Sequence, residues 1–175
     1  AVPPSWYTPS FSDVQEIFNT HCLGCHGHVN PYLGLDLTEG FAYSSLVNRK
    51  SKEIPSMFLA EQRQPGNSAS ENQYLMEKVA CDEPSVGGVM PPFGKISGKE
   101  LRDIAQWLRN GAQPDTTRVS AWASRTSAGS PAVIRFRGGA EAPNPPFTFE
   151  WDFANGETAE SISPAGVFVV AEGEE

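Results

Sequence analysis

Near its start the chain carries the pentapeptide Cys22-Leu23-Gly24-Cys25-His26, which constrains the fold more than any other feature. The C-x-x-C-H pattern is typical of covalent haem attachment, since two thiols at this spacing can bond to the two vinyl groups of one haem. The histidine then lies against the iron and can ligate it through a ring nitrogen. The motif therefore predicts one covalently bound haem c, attached at Cys22 and Cys25, with His26 as an axial iron ligand.

Two other uses of a C-x-x-C pair stay open on the residues alone. A redox disulfide of the thioredoxin type belongs in a βαβ context, whereas Gly- and Pro-rich sequence follows this motif. A zinc site would need further ligands, and Cys81, His21 and His28 are the remaining Cys and His residues. We interpret the motif as haem attachment because the full pattern matches closely.

Length and charge restrict the class of protein. The chain has 175 residues, enough for one domain or two small ones, and a formal net charge of −8. This acidity argues against a nucleic-acid partner. No apolar run approaches the length of a membrane span, so none is predicted.

The location follows from the cofactor and from the first residues. Haem c is attached on the far side of the cytoplasmic membrane. The start Ala1-Val2-Pro3-Pro4 is typical of a processed mature end, with no cysteine for a lipid anchor. The sequence therefore predicts a bacterial exported protein, periplasmic or extracellular, whose signal peptide has been removed.

Apolar residues at helical spacing predict a first helix that runs into the motif. Phe11, Val14, Ile17 and Phe18 form its apolar stripe. Ser12 and Gln15 have the spacing of a capping box, which predicts that the helix begins there. The helix would fix Cys22 relative to the rest of the fold.

Three further helices are predicted beyond the motif, over 41–47, over 70–79 and from Ser97 to Gly111. The last has a capping box of Ser97 and Glu100 and an apolar stripe of Leu101, Ile104, Ala105 and Leu108. Gly111 predicts its end.

Met90 is the candidate for the sixth iron ligand. It is followed by Pro91 and Pro92 on a loop just before the capped helix. A thioether is a soft ligand that favours reduced iron. Met76 falls within a predicted helix and is expected to fill the core, and Met57 has no stiff element behind it. His28 as a second histidine ligand, or an open sixth site, stays open.

Several other residues have two interpretations each. A carbonyl near Pro31 is expected to accept the second N–H of His26 unless the proline only forms a turn. The alternating Leu33, Leu35 and Leu37 are expected to line the haem edge. The basic cluster of Arg49, Lys50 and Lys52 is either solvated or in contact with a haem propionate or a partner.

The leftover Cys81 has no intrachain disulfide partner once Cys22 and Cys25 hold haem. We expect a buried or partly buried thiol, and an intermolecular disulfide is the alternative.

The order of these features resembles a class I cytochrome c over residues 10–115. Within it, Tyr74-Leu75-Met76-Glu77-Lys78-Val79, Met90-Pro91-Pro92 and the stretch IAQWLRNGA at 104–112 look like a bacterial subgroup of small monohaem domains. The resemblance implies a mainly α cytochrome c fold and a methionine on the sixth iron site, at Met90 here. It also implies that the first and last helices cross near the haem, with Phe18 and Trp107 as candidates for the crossing.

From Pro114 the helical periodicity stops, and Ser, Thr, Gly and Pro become more frequent. Four stretches predict strands, at 119–123, 132–137, 147–153 and 167–171. Asn155-Gly156 predicts a hairpin turn. The division predicted is therefore 1–115 for the cytochrome domain with its N-terminal arm and 116–175 for a small all-β module.

This second part resembles a PKD-like repeat, an immunoglobulin-like β-sandwich of exported bacterial proteins. The resemblance rests on WDFANGET at 151–158 and GVFVV at 166–170, with Ala154 and Asn155 where the family has Gly and Asp. It implies spacing or adhesion rather than catalysis. Asp152, Asn155 and Glu157 could bind Ca²⁺, although turn capping would use the same residues.

The β-module also has few predicted strands for a sandwich of about seven. An exposed strand edge leaves backbone groups unpaired. We expect the edge to be covered by the cytochrome domain or by another chain, and a flexible spacer through 114–118 is the alternative.

The function predicted is single-electron transfer through one His/Met-ligated haem c, in an exported redox system with protein redox partners and without enzymatic turnover. The alternatives are a peroxidase-like haem enzyme and a haem-based ligand sensor, both of which need an open or displaceable sixth ligand. No acid/base constellation beyond stray histidines favours the enzyme.

Overall fold

The computed structural model describes residues 7–63, 73–125, 132–143, 145, 147–152, 158–161 and 165–170. Helices precede strands along the chain. The helical part contains α1 (Phe11–His21), α2 (Leu23–His26), a 3₁₀ turn (Tyr32–Gly34), α3 (Ala42–Leu46), α4 (Tyr74–Ala80) and α5 (Gly98–Arg109). The strands are β1 (Arg118–Arg125), β2 (Ala132–Glu141), β3 (Phe149–Asp152), β4 (Thr158–Ser161) and β5 (Ala165–Val170). Within these ranges, no helix combines the length and the apolar content that crossing a membrane requires.

The N-terminus of α1 is capped by a different pair from the one predicted. The Ser10 hydroxyl accepts from the Asp13 N–H at 3.2 Å, and the Ser10 N–H donates to Asp13 Oδ2 at 2.7 Å. The predicted capping box of Ser12 and Gln15 is wrong because both side chains have other partners. Ser12 Oγ donates to Asp115 at 2.6 Å, and buried Gln15 Nε2 donates to the Leu37 carbonyl at 2.9 Å.

Helix α5 begins at the capping box that its sequence predicts. The Ser97 N–H donates to Glu100 Oε2 at 2.8 Å, and the Ser97 hydroxyl accepts from the Glu100 N–H at 3.3 Å. The apolar stripe packs inward, burying Ile104 and Leu108. The helix ends just before Gly111, whose φ of +92° suits glycine.

Helices α1 and α5 run antiparallel against each other. At one end the rings of Phe11 and Trp107 lie 5.4 Å apart between centroids, and at the other His21 Nε2 lies 2.9 Å from Glu100 Oε1. Phe18 and Trp107, predicted at the crossing, are both buried, but the ring contact joins Trp107 to Phe11. The crossing anchors the core of the helical part.

Each of the four predicted strand stretches overlaps a strand, and β4 was not predicted. β2 pairs antiparallel with β1 on one side and with β5 on the other, while β3 and β4 form a separate antiparallel pair. The predicted turn at 155–156 lies outside the described residues. The sheets do not establish a PKD-like sandwich, which stays a prediction.

Strand β2 packs directly against the helical part. A Cβ on Gly139 would lie 2.1 Å from the Gly40 carbonyl oxygen, so only glycine permits this approach. The Ala140 N–H donates to Ser44 Oγ on α3 at 3.2 Å, and the Asp115 N–H donates to Glu141 Oε1 at 3.0 Å. The segment between helices and strands is therefore held at the junction by side chains from both parts.

Candidate functional site

A cavity of about 610 Å³ lies within the helical part. Its size falls within the range of about 300–1,000 Å³ that is usual for small-molecule and cofactor sites. Its wall is largely apolar, and each of the helices α1 to α5 contributes residues to it. The apolar wall residues are Phe18, Leu33, Leu35, Leu37, Leu46, Leu59, Leu75, Val79, Ile96 and Ile104. The three alternating leucines that were expected at a haem edge are all among them.

Three of the four predicted site residues meet in this wall. Cys22, His26 and Met90 line the cavity, while Cys25 is exposed on α2. One helical turn separates Cys22 from His26, whose N–H donates to the Cys22 carbonyl at 3.0 Å. Cys22 is in turn joined to α1, because its N–H donates to the Phe18 carbonyl at 2.9 Å. Helix α1 thus fixes the motif against the cavity.

The His26 ring is held in one orientation. Its Nδ1 donates to the Leu35 carbonyl oxygen at 3.1 Å, which leaves Nε2 as the atom able to ligate a metal. Burial lowers the pKa of His26, against the opposing effect of the Leu35 carbonyl, and so favours the neutral imidazole that ligation requires. A carbonyl near Pro31 was expected to accept this bond, but the acceptor is Leu35. The Pro31 carbonyl instead accepts from Gly34 in the 3₁₀ turn, at 2.8 Å.

The thiol of Cys22 does not suit redox chemistry of the thioredoxin type. Burial, with a smaller effect from Cys25, raises its pKa to about 11. A reactive redox cysteine has a lowered pKa instead. Among the residues that the structure describes, no group of three or more His, Cys, Asp or Glu converges as a metal site. The two alternative interpretations of the motif therefore gain no support.

Met90 is placed in the cavity wall by its backbone. Its N–H donates to the Lys78 carbonyl oxygen at 2.6 Å, which joins the loop to α4. Met76 packs against the core, as expected, and neither it nor Met57 lines the cavity.

His28, the alternative sixth ligand, faces a different neighbourhood. Its ring stacks on Trp122 of β1 at 5.4 Å between centroids and meets Phe41 edge-on at 4.3 Å. Its Nδ1 lies 2.7 Å from Asp36 Oδ2. His28 does not line the cavity, and these contacts hold it between the helical part and β1.

A polar cluster in the cavity wall was missed by sequence reasoning. Tyr74 Oη donates to Glu53 Oε2 at 2.9 Å, and Lys78 Nζ lies 3.2 Å from the same oxygen. The Val86 carbonyl accepts from Lys78 Nζ at 3.1 Å, and its oxygen also lies 3.1 Å from Tyr74 Oη. Desolvation and the Glu53 contact raise the pKa of Tyr74, so its hydroxyl stays a donor. Tyr74 and Lys78 stand four residues apart on α4, but nothing local points to Glu53.

The basic cluster lies at the cavity, where Arg49 is half-buried and Lys50 and Lys52 are exposed. Arg49, Lys50 and Lys52 all line it. Arg49 is half-buried, its Nε donates to the Ser44 carbonyl at 3.0 Å, and burial lowers its pKa. Lys50 Nζ lies 3.6 Å above the Phe58 ring. These cations suit the propionate carboxylates of a haem, and the neutral imidazole, the thioether and the apolar wall suit its ring and iron.

Two remaining predictions concern other side chains. Cys81 is exposed, so the expectation of a buried or partly buried thiol is wrong. It lies just beyond the end of α4, where its N–H donates to the Glu77 carbonyl. Of the Ca²⁺ candidates, Asn155 and Glu157 lie outside the described residues, and that proposal is untested.

Comparison with known proteins yields one match. A family model described as "Cytochrome C oxidase, cbb3-type, subunit III" matches residues 9–108. This range contains the whole C-x-x-C-H motif, Met90 and nearly all of α5, and it ends before β1. No curated protein and no solved structure is a significant match to the chain.

Proposed function

Because this chain belongs to the family of cytochrome c domains described as cbb3-type cytochrome c oxidase subunit III, we propose that it is a monohaem c-type cytochrome that passes single electrons between protein redox partners. Membership confirms the prediction of a cytochrome c domain, which implies haem c binding and electron transfer. The observation that carries the finer proposal is the meeting of Cys22, His26 and Met90 in one apolar cavity.

Each site residue has a distinct role in this proposal. Cys22 and Cys25 form the thioether bonds, Cys22 from the cavity wall and Cys25 from an exposed position on α2. His26 ligates through Nε2 while the Leu35 carbonyl holds its other nitrogen. Met90 supplies the sixth ligand, held through its backbone on α4. A haem bound here supplies the iron that gains and loses the electron.

The protein's own contribution is to exclude water and to keep the ligands in place. The leucine-rich wall shields the cavity, and the core around α1 and α5 is closely packed. A low-dielectric, preorganised surrounding limits how far charges must rearrange when the iron changes oxidation state. These features favour an electron carrier over a turnover enzyme.

Partner proteins would dock where apolar side chains surround the cavity. Of the seven exposed large hydrophobic residues in the described ranges, six come from two segments, 29–33 and 86–93, and each segment contributes residues to the cavity wall, whereas Val119 lies on β1. The six are Val29, Tyr32, Leu33, Val86, Val89 and Phe93. Contiguous exposed apolar residues commonly mark protein–protein contact sites.

The proposal also covers the cellular location of the protein and the role of its β part. The C-x-x-C-H motif supports a location in the periplasm or outside the cell, because covalent haem is attached beyond the cytoplasmic membrane. The strands from β1 onward form a PKD-like module in this proposal, which the WDFANGET stretch at 151–158 supports. The module serves in contacts or assembly rather than in chemistry.

The decisive experiment is expression with the c-type haem maturation system, followed by spectroscopy of the purified protein. We expect the mass of one covalent haem and the pyridine haemochrome of a haem with both vinyl groups saturated. The oxidised spectrum should be low-spin with a weak far-red band from the iron–methionine bond. A protein without covalent haem would contradict the proposal.

The sixth ligand is tested with a pair of methionine variants. Met90→Ala should lose the far-red band and lower the reduction potential, since a soft thioether stabilises reduced iron. Met57→Ala, which does not line the cavity, is the matched control and should retain both. A high-spin spectrum that binds added ligands in the unsubstituted protein would instead favour the peroxidase-like or sensor alternative.

A further inference from the structure

We propose that Arg137, on strand β2, is a positioning residue for His26, acting through Asp36. The inference rests on the proposed function in treating His26 as the iron ligand. It assigns to the β part a role at the haem site that the family match, which ends at residue 108, does not cover.

The support of His26 is the short segment 35–37. The imidazole Nδ1 donates to the Leu35 carbonyl at 3.1 Å, and the Leu37 N–H donates to the His26 carbonyl at 2.8 Å. Asp36 lies between these two contacts. Any movement of its peptide units therefore changes the bond to the ring and the bond to the backbone together.

The carboxylate of Asp36 is what holds this segment. The residue is only 3% exposed. Oδ2 accepts from Arg137 Nη1 at 3.0 Å and lies 2.7 Å from His28 Nδ1. Oδ1 accepts from the Thr38 N–H at 3.0 Å and from the Thr38 hydroxyl at 2.6 Å. Among these donors, Arg137 is the one with a permanent charge and the one that comes from a distant element.

Arg137 is itself held in place. It is 9% exposed, and its guanidinium lies 5.7 Å from the centroid of the Trp122 ring on β1. Close to Arg137, strand β2 is held against the helical part by two contacts. Gly139 packs against the Gly40 carbonyl, and the Ala140 N–H donates to Ser44 Oγ. The cation is thus presented from a paired strand and not from a flexible side chain on the surface.

Removal of Arg137 would leave the Asp36 carboxylate buried without its permanent counter-charge. A buried charge that loses its partner is strongly unfavourable. Movement of Asp36 toward water relieves this cost, and it would pull the Leu35 carbonyl and the Leu37 N–H away from His26. The hydrogen bond to the ring nitrogen orients a metal-bound histidine and raises its basicity, so its loss alters the ligand itself.

The test measures solvent exchange of two protons by ¹⁵N NMR in the reduced holoprotein: the His26 Nδ1–H and the Leu37 amide. We expect Arg137→Gln to accelerate both about tenfold, the scale of one lost charge-assisted hydrogen bond. Arg137→Lys, which keeps the charge, should restore most of the protection. Core amides of α1 and α5 should be unchanged in both variants.

Arg118→Gln is the matched control. Arg118 lies on β1 of the same sheet and pairs with Glu39 and Glu141, both at 3.2 Å, without touching Asp36. It should leave both protons protected. Equal acceleration by Arg118→Gln would show that general loosening of the sheet is responsible and would overturn the assignment.

A double variant identifies the route. If Arg137 acts through Asp36, then Asp36→Asn with Arg137→Gln should accelerate exchange no more than the stronger single variant. Additive effects, or normal protection in Arg137→Gln, would overturn the proposal. The Leu37 amide can be measured whether or not haem is bound, so a chain without haem would contradict the proposed function while still testing this inference.

Discussion

The helical part and the β part of this chain are built in different ways. The helices enclose a cavity with a set of apolar side chains, of which Leu46 and Ile104 have no exposed surface. The β part contacts the helices at Gly139, where the two backbones lie too close for a side chain. It also contacts them through the charged side chains of Arg137 and Glu141, which are almost fully buried. Burial of apolar area tolerates exchange between similar side chains, whereas a close backbone contact or a buried ion pair does not.

This difference predicts what each part depends on. The helical part has a cavity at its centre, so its stability should depend on what fills that cavity. The stability of the junction with β2 should be sensitive to single substitutions, because one added methyl group or one lost charge is enough to disrupt it. The following variants separate these two kinds of dependence.

The largest effect is expected from Cys22→Ala combined with Cys25→Ala. Without haem, the helical part should lose most of its free energy of unfolding, which is about 5–15 kcal/mol for a domain. Hydrogen exchange should show unprotected amides in α1 and α5, with pairing between β1 and β2 retained better. Cys81→Ala, at an exposed thiol, is the control and should behave as the unsubstituted protein. Well-protected helices in the double variant would contradict the prediction.

Gly139→Ala should disrupt the junction. The added Cβ would lie 2.1 Å from the Gly40 carbonyl oxygen and 2.9 Å from the Phe41 Cα, so the backbones must separate. We expect a loss of about 1–3 kcal/mol in thermal or denaturant unfolding, the usual cost of overpacking. Gly98→Ala is the control, since its Cβ would meet Arg102 only at 3.6 Å. Equal stability of the two variants would refute the close approach of β2.

Asp115→Ala should weaken the start of α1, although Asp115 lies 104 residues after Phe11 in sequence. Asp115 accepts from the Phe11 N–H at 2.8 Å and from the Ser12 N–H at 2.6 Å, so it satisfies two donors that the helix cannot. The expected loss is about 1 kcal/mol, as for an N-cap. It should appear as faster amide exchange in the first turn of α1. Asp82→Ala, at an exposed loop carboxylate, should change neither quantity.

The smallest effect is the pH dependence of the contact between α1 and α5. Hydrogen bonds from the Ser97 hydroxyl, from His21 and from the Ser97 N–H lower the pKa of Glu100 to about 2. Because the folded pKa is below the ordinary value of 4.5, this stabilisation is complete above pH 4.5 and is lost as the pH falls toward about 2.

Glu100→Gln should therefore lower stability at neutral pH by less than about 1 kcal/mol, since the carboxylate is partly solvated. It should also reduce the loss of stability between pH 6 and pH 2, measured as the change in the unfolding midpoint over this range. Glu16→Gln, at an exposed position of α1, is the control. An unchanged acid limb in Glu100→Gln would mean that Glu100 does not carry this dependence.

Much of the helical part could be predicted because its signals are local. The C-x-x-C-H motif, the capping box at Ser97 and the stripe on α5 each lie within about one to three helical turns, where spacing alone decides which side chains share a face. The start of α1 was placed wrongly for the opposite reason. Its capping box of Ser10 and Asp13 is local, but Ser12 and Gln15 have the same spacing. What excludes the second pair is the contact of the Ser12 side chain with Asp115, 103 residues away, which leaves no local signal.

By itself, the sequence determined the helical character of the first part, the positions of the strands of the second part other than β4, and the candidate residues Cys22, Cys25, His26 and Met90. Only the tertiary structure decided that Cys22, His26 and Met90 line one cavity, that the Leu35 carbonyl holds His26, and that Glu53 joins Tyr74 and Lys78. It also brought Arg137 to Asp36, 101 residues apart in sequence. The physical reason is that periodicity records which face of an element is apolar, whereas contacts between distant charges and backbone groups leave no periodic trace in the chain.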